Sequence, residues 1–146
     1  MLPTLCWGEY KLIPSCCAQL NTGSDILEDK TNRMPEKIIY MVLKYEDIQP
    51  TCPAPGITRR ILAHGGGMMG VEASFQKGAV GEAHRHPHEQ VSYILSGCFE
   101  YEVEGQKYIL HKGDSYYVAP DLLHGAVALE EGVILDIFTP QRTDFL

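Results

Sequence analysis

The stretch GAVGEAHRHPHEQVSYILSG, Gly78–Gly97, carries the strongest structural signal in this chain. It places His84 and His86 two positions apart in a run that is typical of a β-strand. Because side chains alternate between the two faces of a strand, these imidazoles share one face and lie roughly 6–7 Å apart. Two such rings can converge on a single metal ion. The amide oxygen of Gln90, after the kink at Pro87, is a candidate third ligand.

A fourth candidate ligand, His124, follows in the segment GDSYYVAPDLLHGAV, residues 113–127. The first stretch spaces a glycine, His-x-His, a glutamine and a glycine, and the second runs Gly-Asp, proline, histidine. Together they resemble the two sequence motifs of the cupin family. The resemblance implies a metal site formed by His84, His86, Gln90 and His124. Cupins usually have glutamate as the third ligand, and the neutral Gln90 leaves more positive charge on the ion, which makes it a better Lewis acid.

The composition limits the classes of function. A chain of 146 residues with 45% hydrophobic residues is sufficient for one domain with a sizeable core. The formal net charge of −7 argues against a nucleic-acid partner, which requires a basic surface. No apolar run is long enough to span a bilayer, and the N-terminus is a poor secretory signal. The five cysteines form no CxxC pair, which predicts reduced thiols and a cytoplasmic protein.

The chain is predicted to divide into three parts. Residues 1–33 lack periodicity and are expected to form a weakly structured extension, whose deletion leaves metal content and melting temperature unchanged. Residues 34–56 are expected to contain an edge strand at Ile38–Tyr45 and a rigid proline-rich connection. Residues 57–146 are predicted to form the cupin domain. The edge strand is also a candidate for exchange between two copies, which favours a homodimer.

Short strands separated by close turns follow Ile57, and none of this region has a convincing helical period. This pattern predicts an all-β sandwich or barrel. The cupin resemblance further implies a double-stranded β-helix, a jelly-roll-like barrel of two antiparallel sheets with the metal inside. The predicted strands are residues 59–63, 69–75, 91–95, 99–103, 108–110, 116–119, 125–129 and 133–138, together with the His-x-His strand.

The closing segment GVILDIFTPQRTDFL contains Asp136, Phe138 and Arg142. With the two histidine motifs, it resembles the KdgF group of small cupins. That resemblance implies an enzyme of pectin and alginate breakdown. It acts on 4,5-unsaturated uronate monosaccharides, which polysaccharide lyases release, and converts the cyclic sugar to its linear keto form. The implied cofactor is a divalent ion, Zn, Ni, Mn or Fe, and the implied partner is a small anionic sugar.

The residues are chemically suited to that reaction. A divalent ion can bind the substrate carboxylate and ring oxygen and stabilise the developing enolate. Asp136 is the candidate proton-transfer group, because burial can raise the pKa of a carboxyl. Arg142 offers a fork to a carboxylate, and Phe138 is expected to wall the pocket. The alternatives are a structurally satisfied carboxylate, a surface ion pair and a core aromatic. His88 follows Pro87 and is left outside the ligand set.

Two other functions remain open. An iron-dependent cupin oxygenase would use the same open coordination positions, although a site without an anionic ligand is less suited to it. A sugar-binding module without catalysis would use the same barrel, although no DNA-binding helix pair accompanies it here. Oxygen uptake with Fe(II) would separate the first from a uronate-converting enzyme, and an Asp136→Asn variant would separate the second.

Overall fold

The computed structural model describes residues 40–146, and this part of the chain is built almost wholly from strands, which confirms the all-β prediction. Two short 3-10 turns, Tyr45–Asp47 and Thr143–Phe145, flank the strands. No helix within these residues is long and apolar enough to cross a membrane. The strands are β1 Thr51–Ala54, β2 Ile57–Gly65, β3 Met68–Phe75, β4 Val80–His84, β5 Glu89–Ser96, β6 Cys98–Val103, β7 Gln106–His111, β8 Ser115–Val118, β9 His124–Ala128 and β10 Gly132–Thr139.

The strands form two antiparallel sheets. One sheet has six strands in the order β1-β2-β3-β10-β5-β8, and the other has four in the order β4-β9-β6-β7. Alternation along each strand determines what the sheets enclose. In β6, Phe99 and Tyr101 are buried, whereas Glu100 and Glu102 face outward and pair with Lys107 of β7. The predicted separation of apolar and acidic faces on this strand is confirmed.

The interior changes in character along the central strands β5 and β10. Their inward-facing cross-strand pairs are, in order, Ile134–Ile94, Asp136–Ser92 and Phe138–Gln90. At the first pair the interior is apolar, and the rings of Phe75 and Phe99 meet edge-to-face at 5.4 Å. Burial of each such side chain contributes about 1.5–3 kcal/mol. The polar side chains of the second and third pairs lie toward the other end, which is where the histidines lie.

The turn between β5 and β6 explains the second glycine of the first motif. Gly97 has a φ of +83°, a backbone conformation that residues other than glycine rarely adopt. A Cβ atom at this position would lie only 2.6 Å from the carbonyl oxygen of Glu131. Glycine is therefore required both by the backbone conformation and by the close approach of the neighbouring chain. This turn sets the register of β5, which carries Gln90 and Ser92.

Two local strand predictions are wrong. The His-x-His segment was expected to be one strand, but β4 ends at His84 and His86 lies in the following loop. The run Ile38–Tyr45 was expected to be an edge strand. Its described part, residues 40–45, forms no strand and leads into the first 3-10 turn. Instead, β1, inside the predicted proline-rich connection, forms one edge of the six-stranded sheet. The predicted extension 1–33 lies outside the described residues.

Candidate metal centre and its cavity

Three histidines meet at the polar end of the interior. One ring nitrogen from each of His84, His86 and His124 lies within 4.8 Å of the others. The end of β4 supplies His84, the following loop supplies His86, and the start of β9 supplies His124, whose Cα pairs with that of His84. His86 and His124 are buried, whereas His84 is exposed. The group is therefore open to solvent on the side of His84.

Backbone carbonyl groups orient two of these rings. The Nδ1 atom of His84 lies 2.9 Å from the carbonyl oxygen of Glu82, and that of His124 lies 2.9 Å from the carbonyl oxygen of Leu122. A carbonyl oxygen only accepts, so each Nδ1 carries the proton and each Nε2 presents a lone pair. Burial also lowers the pKa of His124 and lowers that of His86 to about 4. Near neutral pH both rings are uncharged, as a metal ligand must be.

Gln90 brings an oxygen to the same point. Its Oε1 atom lies 3.0 Å from Nε2 of His86 and 3.3 Å from Nε2 of His124. Its Nε2 atom donates to Oγ of Ser92 at 2.9 Å and to Oδ1 of Asp136 at 3.1 Å, which fixes the direction of the amide. Because Nε2 of His124 carries no proton, it faces the Gln90 oxygen as one acceptor against another. A cation between them removes that repulsion, so the donor set fits a metal ion.

Asp136 lies on the other side of the Gln90 amide. Its carboxylate accepts hydrogen bonds from Oγ of Ser92 and from Gln90. Burial raises the pKa of Asp136 from 3.8 to about 6, although both hydrogen bonds oppose that change. A carboxyl with such a pKa exchanges protons readily near neutral pH. Ser92 was missed in the sequence, although it lies two residues from Gln90 and hence on the same face of the strand.

Two tyrosines close the interior behind Asp136. The rings of Tyr101 and Tyr116 stack with their centroids 3.9 Å apart. Burial raises the pKa of both, and the charge of Asp136 adds to the effect. The hydroxyl of Tyr101 is buried and has no hydrogen-bond partner within residues 40–146. Nothing in the sequence indicates this pair, because the two residues lie on different sheets and only the closed barrel brings them together.

A cavity of about 360 Å³ leads to these groups. Its wall contains the predicted residues His84, Gln90, Asp136, Phe138 and Arg142. The same wall contains Arg59 and Phe145, which the sequence did not indicate. Phe138 is buried, and its ring meets that of His86 edge-on at 5.5 Å. His88 packs against the same phenylalanine, with ring centroids 6.5 Å apart, and lies outside the group of three histidines.

Arg142 is buried at the cavity wall, and part of its guanidinium is already bonded. Its Nε and Nη2 atoms donate to the two carboxylate oxygens of Asp144 at 3.0 and 2.9 Å. This pairing lowers the pKa of Asp144. The guanidinium also lies over the rings of Phe138 and Phe145, at 5.3 and 4.1 Å from their centroids. The predicted fork therefore holds a carboxylate of its own chain, which leaves Nη1 free of Asp144.

Comparison with known proteins gives consistent matches. The family model described as "Cupin domain" matches residues 71–138. The pectin degradation protein KdgF of Dickeya dadantii is 45% identical over 93 residues, which cover 62% of this chain and 84% of that protein.

Among solved structures, KdgF from Halomonas sp. is 38% identical, with a TM-score of 0.70, and the match covers 73% of this chain and 99% of that one. An RmlC-like cupin from Shewanella frigidimarina is also 38% identical, with a TM-score of 0.68 and coverage of 71% and 94%.

Proposed function

This chain belongs to the cupin family and, within it, to the KdgF group, and from that premise we propose that it converts 4,5-unsaturated uronate monosaccharides from pectin to linear keto-uronates. One observation carries the proposal. A cavity lined by His84, Gln90 and Asp136 leads to a donor set that fits a divalent ion and to a carboxyl group, hydrogen-bonded to Gln90, whose pKa is about 6.

The reaction is an isomerisation. The substrate is a cyclic enol ether with a carboxylate on C5. The bond between C1 and the ring oxygen breaks, the C1 hydroxyl loses its proton and becomes an aldehyde, and the ring oxygen departs as an enol on C5. A proton added at C4 converts the enol to a ketone. One proton leaves oxygen and one joins carbon, so a single group that can both accept and donate a proton can serve both steps.

We assign this proton transfer to Asp136. Its pKa near 6 makes both protonation states accessible near neutral pH. Ser92 and the Gln90 amide hold its Oδ1 atom, which fixes the carboxyl in the cavity wall. The alternative role, a satisfied structural carboxylate, is disfavoured because no cation pairs with Asp136 among the described residues and because burial raises its pKa.

We assign His84, His86, Gln90 and His124 to one divalent ion, which is Zn, Ni, Mn or Fe. When bound, such an ion supplies Lewis acidity that stabilises negative charge on oxygen. Phe138 forms part of the cavity wall. Arg142 contributes positive charge beside the substrate carboxylate, with Nη1 as the donor that Asp144 leaves free.

We also propose a wider substrate range, a cellular location and an oligomeric state for this enzyme. Alginate lyases release uronates with the same unsaturated bond, so we propose them as substrates as well. Among residues 40–146, Cys52 and Cys98 form no disulfide with each other, which supports a cytoplasmic location. A homodimer is supported by the outer face of the six-stranded sheet, where Val91, Tyr93 and Tyr117 are each more than 40% exposed, at 49%, 44% and 59%.

The direct test is an absorbance assay. Purified protein is mixed with lyase-generated unsaturated galacturonate, and loss of the conjugated double bond is followed in the presence of divalent ions. We expect a large acceleration over buffer. The absence of any acceleration with Zn, Ni, Mn and Fe each supplied would overturn the proposed function.

A further inference from the structure

The cavity contains two arginines, and their situations differ. Arg59 comes from β2 and Arg142 from the segment after β10. Both guanidinium groups lie over the ring of Phe145, with the central carbons 3.9 and 4.1 Å from its centroid. Such contacts hold a guanidinium in place while leaving its N–H edge available for other partners.

Arg142 is largely engaged within the chain. Asp144 takes two of its donors and forms an ion pair with it. Only Nη1 of the Arg142 guanidinium remains free of Asp144. A carboxylate ligand would have to compete with Asp144 for the bidentate position, so Arg142 alone is poorly suited to recognise one.

Arg59 is not engaged in this way. No ion pair to Arg59 occurs in the described part of the chain. Its Nε atom is buried and has no hydrogen-bond partner among residues 40–146. An unsatisfied buried donor of a charged group is costly. Burial and then the charge of Arg142 lower the pKa of Arg59, and the nearby charge of Asp144 only partly opposes them. The surroundings therefore disfavour the cationic guanidinium, and a further anion beside it would relieve that effect.

We propose that Arg59 binds the carboxylate of the sugar substrate through its guanidinium fork and is the residue that selects uronates over neutral sugars. This inference rests on the proposed function for the identity of the sugar. A carboxylate matches the guanidinium group of an arginine in geometry and charge, and Arg59 lines the cavity that would hold it. Arg142 then adds one donor and holds Phe145 against Arg59. The sequence predicted that the metal and Arg142 bind the substrate carboxylate. With Arg59 in the same cavity, we assign the carboxylate mainly to Arg59.

Arg60 provides a matched control. It is the next residue of β2 and therefore faces the opposite side of the sheet. Its Nη1 atom lies 3.5 Å from Oε1 of Glu72, and its guanidinium lies over the ring of Tyr45 at 4.9 Å. Arg60 does not line the cavity. Arg60→Gln thus removes the same charge from the same strand without touching the site.

The first test uses kinetics with unsaturated galacturonate. For Arg59→Gln we expect KM to rise roughly ten- to hundredfold, as for the loss of a charged hydrogen bond, and kcat to change by much less. Arg59→Lys keeps the charge without the fork and should fall between. Arg60→Gln should match the wild type. Equal effects of Arg59→Gln and Arg60→Gln, or an unchanged KM for Arg59→Gln at equal metal content and melting temperature, would overturn the proposal.

The second test needs no turnover. Calorimetry of the metal-loaded protein compares saturated galacturonate with galactose, which lacks the carboxylate. We expect the wild type to prefer galacturonate and Arg59→Gln or Arg59→Lys to lose or weaken that preference. A wild type without preference, or a variant that keeps it in full, would reject a carboxylate site at Arg59. A clear preference without conversion of the unsaturated sugar would instead reject the proposed function and leave this site standing.

Discussion

Asp136→Asn should reduce activity and increase stability in the same protein. The two side chains have nearly the same shape, and an amide oxygen can still accept hydrogen bonds from Ser92 and Gln90. The variant lacks a group that takes up and releases a proton near neutral pH. We therefore expect kcat to fall roughly 100- to 10,000-fold, the usual contribution of general acid–base catalysis. Binding of galacturonate should persist.

The gain in stability follows from the pKa of Asp136. Folding raises this pKa from 3.8 to about 6. A group with a raised pKa stabilises the fold fully below the unfolded value, and that contribution is lost as the pH rises through the folded value. A difference of about two units corresponds to about 3 kcal/mol. Above pH 6 the folded protein thus carries a penalty of about this size, which asparagine does not have.

Urea unfolding followed by circular dichroism, in the presence of a chelator, measures this penalty. At pH 8 Asp136→Asn should be more stable than the wild type by up to about 3 kcal/mol, and at pH 4 most of the difference should be gone. Asp47→Asn, at an exposed position in the first 3-10 turn, is the control and should change little at either pH. A stability difference that is the same at both pH values, or a kcat close to that of the wild type, would refute this account of Asp136.

Three further substitutions test separate parts of the structure. His124→Ala should abolish stoichiometric metal binding and conversion of the uronate; a variant that retains one tightly bound ion by elemental analysis would contradict the assigned ligand set. Gln90→Glu should keep the metal but lower activity at pH 7 at least roughly tenfold. A carboxylate 3.1 Å from Asp136 adds about 5 kcal/mol of repulsion at an effective dielectric of 20, so the two carboxyl groups retain a shared proton. A pH–rate profile like that of the wild type would show that the amide is not needed. Gly97→Ala should lower the free energy of unfolding by about 2 kcal/mol or more, because φ is +83° and Glu131 is too close; an unchanged urea midpoint would contradict this reading of the turn.

The strands were largely predictable because their signals are local. Alternation in Phe99–Val103 and the glycine turns place residues on one face or the other from neighbouring sequence alone. The same parity places Asp136 and Phe138 inside the barrel, where the structure has them. The run Ile38–Tyr45 has strand-forming composition, but its described part pairs with no neighbouring strand. Composition does not reveal whether a partner is available.

The missed site residues depend on long-range pairing. Ser92 reaches Asp136 because β5 and β10 are neighbours in the sheet and Ser92 pairs with Asp136 in register. Arg59 reaches the cavity because β2 belongs to the same sheet as β10 and is separated from it only by β3. Nothing near Arg59 in the sequence indicates this strand order. The bonding of Arg142 to Asp144 involves residues only two apart, but its geometry requires the 3-10 turn at Thr143–Phe145.

The most direct test of the central claim measures the rate of uronate conversion as metal occupancy is titrated from zero to one ion per chain. The account predicts that the initial rate of loss of double-bond absorbance rises in proportion to bound metal and reaches its plateau at one ion per chain. A chelator-stripped protein that contains no detectable metal and converts unsaturated galacturonate at the plateau rate would contradict it.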